Sequence, residues 1–200
     1  MNVLIGCEFS GVVRNAFREL GHNAWSCDIL PAEDNSPYHM QCDVRDVLHS
    51  SWDIGIFHPP CTYLCNSGVR WFFSEDKTKN KERWDNLQSA AKFFKLFLKL
   101  QYPHVIENPI MHKYARNLIG KVPYTQIIHP WQHGHGETKA TCLWLHGLPP
   151  ITPTNLVPER NHRVHLLPPG PNRGMERSRT YPGIATAFAK QWGSFPFSEQ

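Results

Sequence analysis

Short apolar runs rich in β-formers alternate along this chain with segments whose apolar residues recur every three or four positions, and few folds accommodate that alternation. Residues 2–7, "NVLIGC", form the first such run. Val13, Ala16, Phe17 and Leu20 follow at helical spacing, with Gly21 to close the helix. "HNAWSCDIL" predicts a second strand ending in Asp28, and "HMQCDVRDV" another short segment with Asp43 near its end. Residues 53–57 form a fully apolar strand. Residues 74–86 are strongly charged, as suits a solvated loop or helix start. From Leu87 a helix is well signalled, with Ala90, Ala91, Phe94, Phe97 and Leu98 on the same face. "HVIENP" predicts a strand halted by Pro109, and "MHKYARNLIG" a helix with a glycine C-cap. "YTQIIHP" and "ATCLWLHG" predict two late strands that pair as neighbours, and "GIATAFAKQW" a final helix. Strands alternating with helices predict an α/β fold, its central sheet mostly parallel and flanked by helices.

In such sheets ligands sit at the carboxyl ends of the strands. The Ser10-Gly11 turn, Asp28, Asp43, Cys61 and Glu107 each follow an apolar strand, so a shared site is the economical expectation. With 200 residues the chain suits one domain with a real core. Residues 1–148 are expected to form the core, 149–180 a proline-rich loop or irregular lobe, and 181–200 a C-terminal helix that completes the core.

The stretch "DIGIFHPPCTYLCNSG" is the most pointed feature of the chain. An apolar strand ends in Pro59 and Pro60, and Cys61 follows at once. The prolines fix backbone dihedrals beside a thiol. A cysteine there is either a small buried hydrophobe or a nucleophile held still. The six cysteines lie at 7, 27, 42, 61, 65 and 142, none in C-x-x-C spacing and several inside apolar runs. That pattern predicts reduced, buried thiols rather than a disulfide framework. The N-terminus lacks a signal-peptide pattern and no run has the length of a membrane span. The expectation is a cytoplasmic protein with no membrane partner and no obligate protein partner. A net charge of +4 permits a phosphate-bearing ligand.

Taken in order, these blocks resemble the S-adenosylmethionine-dependent C5-cytosine DNA methyltransferases, over residues 1–145. "PCTYLCNSG" resembles that family's nucleophile loop, with Pro60 and Cys61 first and Gly68 seven positions after the cysteine. "ENP", Glu107 and Asn108, stands for its Glu-Asn-Val. "FSGVV" keeps Phe9 and Gly11 of its first loop, with Val13 at the second glycine. The resemblance implies a Rossmann-like methyltransferase fold with S-adenosyl-L-methionine as cofactor. It implies Cys61 as the thiolate that adds at C6 of cytosine and Glu107 as the carboxyl near ring N3, with Pro60, Asn108 and Lys139 in the catalytic group. On the cofactor side it implies Phe9, Ser10 and Gly11 against the methionine end, with a nearby helix N-terminus favouring the carboxylate. Asp28 with Ile29 would hold the ribose, Asp43 with Val44 the adenine amino group, and Pro59 would complete that wall. Cys65 takes the family's serine position and is read as structural.

The chain also departs from the family. Lys139 and Thr141 stand where the family carries Arg-x-Arg, and Gly183-Ile184 where it carries Gly-Asn. A lysine is a donor without the planar fork of arginine. Family members insert a substantial target-recognition region before the last helix, and here about thirty proline-rich residues, 149–180, stand in its place as a vestige. Arg160, His162, Arg163, His165, Arg173, Arg177 and Arg179 in or beside that segment are candidate phosphate contacts. The partner is then duplex DNA, a single-stranded nucleic acid or a free cytosine nucleotide. Such small versions belong with bacteriophages, which implies a host-cytoplasmic setting.

Three rivals remain open on sequence. "HPPCTY" shares Pro-Pro with the loop of amino-directed methyltransferases, although His58 suits that chemistry poorly. "HPWQHGHGE" offers His129, His133, His135 and Glu137 at a spacing that could serve zinc, against the favoured expectation of no metal. The third rival is a catalytically inactive methyltransferase fold kept as a binding protein.

Overall fold

The structure is a computed structural model that describes residues 1–168, 170 and 173–194, without the side chain of His165. Residues 195–200 of the expected C-terminal segment and the His165 phosphate contact therefore lie outside the described residues.

Seven strands among the described residues form one sheet: β1 (Asn2–Gly6), β2 (Asn23–Asp28), β3 (His39–Gln41), β4 (Ile54–Phe57), β5 (His104–Asn108), β6 (Gln126–Ile128) and β7 (Thr141–His146). Their spatial order is β3-β2-β1-β4-β5-β7-β6. The first five run parallel, and β7 is antiparallel to both β5 and β6. The fold is thus α/β, with a mostly parallel sheet flanked by helices. The two late strands pair as expected, with Ile127 opposite Cys142.

Burial on both faces explains why β1 and β4 read as continuous apolar runs rather than alternating ones. Val3 and Ile5 point to one face and Leu4 to the other, as the two-residue period of a strand requires. On the first face, α1 (Val12–Glu19) and α6 (Pro182–Gly193) cover Val3, Ile5, Ile54 and Val105 with Phe17, Phe188 and Trp192. On the second, α2 (Lys81–Phe97) and α3 (Lys113–Ile119) cover Leu4, Phe57, Ile106 and Cys142 with Leu87, Phe94, Phe97 and Ile119. Gly120 ends α3 in the left-handed region, where a Cβ would be disfavoured.

Several boundaries differ from the sequence expectation. Helix α2 starts six residues before Leu87, because Asn80 accepts a hydrogen bond from the Arg83 amide and Lys81 pairs with Asp85 one turn on. Capping and side-chain pairing extend a helix where apolar periodicity is silent. The "HMQCDVRDV" segment is a strand for three residues only. Asp43 then caps a short 3-10 turn, Val44–Asp46, by accepting from the Arg45 amide.

The proline-rich stretch contains two short helices, α4 (Arg163–Leu166) and α5 (Arg173–Ser178). It is also laced to the core. Gln126 exchanges side-chain hydrogen bonds with the Ile151 backbone, and Gln191 does so with Thr152. Asn155 and Asn161 form single β-bridges to His133 and Glu137. Among the described residues no helix is long and apolar enough to cross a membrane.

The loop that holds these bridges packs directly on α6. A Cβ added at Gly183 would stand 1.7 Å from the His133 carbonyl oxygen, so backbone would have to move. Gly183→Ala is expected to cost about 1–3 kcal/mol through overpacking, read as a lower urea midpoint with an unchanged slope.

Candidate active site

The order of the sheet reverses between β1 and β4, and a crevice at such a switch point opens at the carboxyl ends of the strands. A cavity of about 1150 Å³ lies there. Phe9, Asp28, Ile29, Asp43 and Val44 line it from the β1–β3 side, and Pro60, Cys61 and Lys139 from the other. A chamber of about 100 Å³ lies alongside, lined by Ser10, Pro59, Cys61, Glu107, Asn108 and Lys139 among others. Of the residues expected to serve catalysis or the cofactor, Gly11 alone lines neither space. It is buried in the left-handed region, against the Arg14 guanidinium. Its freedom serves the turn into α1 rather than the approach of a ligand.

Glu107 is the best-held of these side chains. Nδ1 of His58 lies 2.7 Å from its Oε2, and both side chains are nearly buried, at 13 and 10 % exposure. Burial alone would raise the Glu107 carboxyl. The bond and charge of His58, with Lys139 and the Thr180 side chain, instead hold it below the usual range. Burial would likewise lower His58, but the bond and charge of Glu107, with the charge of Glu8, raise it. Each partner thus favours the charged form of the other. Nε2 of His58 is buried with no hydrogen-bond partner among the described residues.

Beside this pair the Asn108 amide donates to the Pro59 carbonyl at 2.8 Å, tying the end of β5 to the loop of Cys61. Cys61 itself is half-buried, and its carbonyl accepts from the Cys65 amide at 3.0 Å. The neighbouring Cys65 thiol and burial push the Cys61 thiol far up, with Lys139 opposing. All six cysteines are free.

On the other side of the cavity, Asp28 Oδ1 accepts from the Leu30 amide at 2.9 Å. Ile29 is 71 % exposed there and makes an apolar wall with Val44. Asp43 is bound by the Arg45 side chain and amide, which hold its carboxyl down at about 2.

The helix N-terminus expected to favour a ligand carboxylate is occupied from within. The amides of Val13 and Arg14 donate to Glu8, at 2.7 and 3.2 Å. The first amides of α1 are thus already met by the chain's own carboxyl group.

The basic residues around 160–179 are also largely committed. Arg163 pairs with Glu137 at 3.0 Å, Arg179 with Glu33 at 2.6 Å, and Arg160 stacks on Trp131. His162 contacts the Thr138 hydroxyl. Arg173 and Arg177 line the cavity, and the Arg173 Nε donates to the Leu167 carbonyl at 2.8 Å. "HPWQHGHGE" is likewise spread over separate duties: His133 meets Thr154, His135 accepts from the Gly183 amide, and Glu137 holds Arg163. Among the described residues no three His, Cys, Asp or Glu side chains gather to hold a metal ion.

Sequence reasoning gave Glu8 and Thr180 no role, weighed His58 only as a poor match for amino-directed chemistry, and read Cys65 as structural. His58 stands inside the stretch that drew attention, but its partner Glu107 is 49 positions away. A scan against models of known protein families and a search of curated proteins both return no match.

The His58–Glu107 pair has a definite pH signature. The lowered Glu107 contributes stability above its unfolded value, near 4.3, lost as pH falls through the folded one. The raised His58 contributes below about 6.5, lost as pH rises through its folded value. The contribution is therefore greatest between about pH 4.3 and 6.5. His58→Ala is expected to cost about 3–5 kcal/mol at pH 5.5, because a buried carboxylate loses its partner. The loss should shrink toward pH 3, as denaturant titrations across that range would show.

Proposed function

We propose that this chain is an S-adenosylmethionine-dependent methyltransferase acting at C5 of cytosine, with Cys61 as nucleophile and Glu107 as its acidic partner. The observation that carries this is one cavity at the switch point of the sheet, shared by Asp28, Ile29, Val44 and Cys61 and joined to the chamber that holds Glu107. These groups come from the ends of four parallel strands and the loops that follow them.

The residues present fit the cofactor. An apolar wall of exposed Ile29 and buried Val44 suits a purine, and the Asp28 carboxylate, with Oδ2 uncommitted among the described residues, suits ribose hydroxyls. Phe9 and Ser10 stand nearer Cys61, where the methionine end would lie. Asp43 is a weaker acceptor than expected because Arg45 already occupies it. The methionine carboxylate would have to find donors other than the α1 amides that Glu8 holds. When bound, S-adenosylmethionine supplies an electrophilic methyl group.

The chain's own residues do the rest. Pro59 and Pro60 hold the Cys61 loop, and Asn108 clamps it through the Pro59 carbonyl. Cys61 gives up its S–H proton to solvent as its sulfur bonds to C6, and the C5=C6 electron pair shifts onto the ring, making C5 nucleophilic. The His58–Glu107 pair offers a proton and a fixed charge to ring N3, where negative charge develops. Lys139 lies close enough to Cys61, Glu107 and His58 to act on the charge of all three. Loss of the C5 proton and cleavage of the S–C6 bond then release the product.

The partner in this proposal is DNA, duplex or single-stranded, or a free cytosine nucleotide, met by Arg173 and Arg177 at the cavity wall. Labelled methyl transfer to duplex DNA, single-stranded DNA, RNA and cytosine nucleotides tests it. Label is expected in one acceptor and absent with Cys61→Ser, which should bind the cofactor as wild type does. Asp28→Ala should weaken cofactor binding by about tenfold, on the order of one charged hydrogen bond, as calorimetry would report. Wild-type turnover by the serine variant sinks the assignment. Cofactor binding with no transfer to any acceptor favours the inactive binding protein instead.

A further inference from the structure

Beyond Cys61 the large cavity continues along a second wall that methyl transfer itself leaves unused. Asn66, Ser67, Gly68 and Trp71 of a 3-10 turn (Asn66–Phe72) make that wall, with Arg83 of α2 and Ile110 beside them. The turn is fastened to the core. The Asn66 amide donates to the Ile110 carbonyl at 3.2 Å, and the His112 amide donates to the Leu64 carbonyl at 3.0 Å. Phe72 is fully buried, its ring edge-on to those of Trp84 and His112. Gly68 lets the turn close on the Cys61 loop: a Cβ there would stand 3.0 Å from the Thr62 carbonyl oxygen and 3.1 Å from the Arg83 guanidinium.

On this fixed mount Trp71, the residue before Phe72, stays out. It is 55 % exposed, and the Arg70 guanidinium lies 4.4 Å from the centre of its ring. Left that open, the ring gains little from burial. It offers a flat apolar face beside a cation. Arg83, half-buried, makes no ion pair among the described residues. It reaches the Gly68 carbonyl at 3.5 Å and lies over the Tyr63 and Phe72 rings, while its Nε is buried without a hydrogen-bond partner among the described residues. A cation so placed suits an anionic oxygen from a ligand. This wall carries no acidic side chain; Asp28 and Asp43, the acidic residues that line the cavity, stand on the cofactor side.

We propose that the acceptor is a single-stranded nucleic acid, whose base next to the target cytosine stacks on Trp71 and whose phosphate is held by Arg83. This rests on the methyltransferase reading above and narrows its acceptor. A free nucleotide fits within a cavity of about 1150 Å³ and would leave Trp71 bare on the rim. A duplex hides the faces of its bases in its own stack and presents edges and phosphates. An unpaired strand offers what this wall takes, an open π-face at each base and a phosphate between bases. Such recognition uses stacking and charge rather than a groove-reading region, in keeping with the short segment 149–180.

The test is fluorescence anisotropy with a labelled single-stranded DNA of about twelve nucleotides, an RNA of the same sequence, the matching duplex, and cytidine monophosphate as competitor. Wild type, Cys61→Ser, Trp71→Ala, Trp71→Phe and Arg83→Gln are compared at two salt concentrations, with urea midpoints to show that each variant is folded. A single strand, DNA or RNA, should bind at least about tenfold more tightly than the duplex or the mononucleotide. Trp71→Ala should weaken strand binding about tenfold, and Trp71→Phe much less, since a ring remains. Trp71→Ala should keep the wild-type salt slope, whereas Arg83→Gln should reduce it by about 0.7, the share of one phosphate on a single strand. Cys61→Ser should bind as wild type does. Equal binding of duplex or mononucleotide, no binding of either strand, or full strand affinity in Trp71→Ala overturns the proposal. If strands bind through Trp71 but no acceptor receives methyl, the cytosine reading fails alone, because binding is measured without turnover. If methyl passes to duplex DNA and Trp71→Ala transfers it as wild type does, the single-strand inference fails alone.

Discussion

Parallel pairing of β1, β4 and β5 fixes where every reactive side chain is released. Gly6 lies opposite Phe57, and Phe57 opposite Ile106. The chain therefore leaves all three strands at one level, and Glu8, His58 and Glu107 emerge together. The 2.7 Å bond between His58 and Glu107 closes this arrangement across two neighbouring strands. Asn108 repeats the connection one residue on, through the Pro59 carbonyl. A loop with two prolines at its root and a side-chain amide on its backbone has little freedom left. Cys61 inherits that rigidity.

Glu8, Arg14 and Glu107 near the site are each met by partners. Glu8 is fully buried among amides at the start of α1, and its carboxyl is raised by that burial in spite of them. Glu107 keeps its charge through His58, with Lys139 near. Arg14, wholly buried, is held by Asp34, Asn15 and the Ser26 hydroxyl. Burying unpaired charge costs far more than a domain of this size can spare, so each partner is structural as well as electrostatic. The proline-rich segment belongs to the same scheme. Thr180 lines the chamber of Glu107 and the Arg179 carbonyl takes Lys139, so the stretch reaches across the carboxyl edge instead of hanging from it.

Much of the architecture was legible because it follows from local pattern. Val3, Leu4 and Ile5 demand burial on both faces, and only a sheet covered on both sides supplies it. Leu87, Ala91 and Phe94 demand one apolar neighbour along a helix, and α2 turns them to the sheet. Asp28, Asp43, Cys61 and Glu107 could be placed at strand ends by counting apolar runs. What escaped was set by capping and by pairing. Helix α2 begins where Asn80 caps it, and the third strand ends where Asp43 turns the chain. Gly11 looked like a ligand contact and serves a turn, since the partner that explains it, Arg14, is a buried side chain no pattern reveals.

The sequence by itself determined which segments become strands and helices, and that polar residues follow the apolar ones at one edge. Those are consequences of spacing and backbone sterics, which act over a few residues. Only the tertiary structure decided partners. His58 is 49 positions from Glu107, and Arg179 is 146 from Glu33. Their bonds exist because strand order and helix packing bring distant segments to one place. The two thiols of the Cys61 loop mark the boundary between these regimes. Their spacing of four is written in the chain, but the Lys139 and Glu107 charges that bear on Cys61 are brought in from elsewhere by the fold.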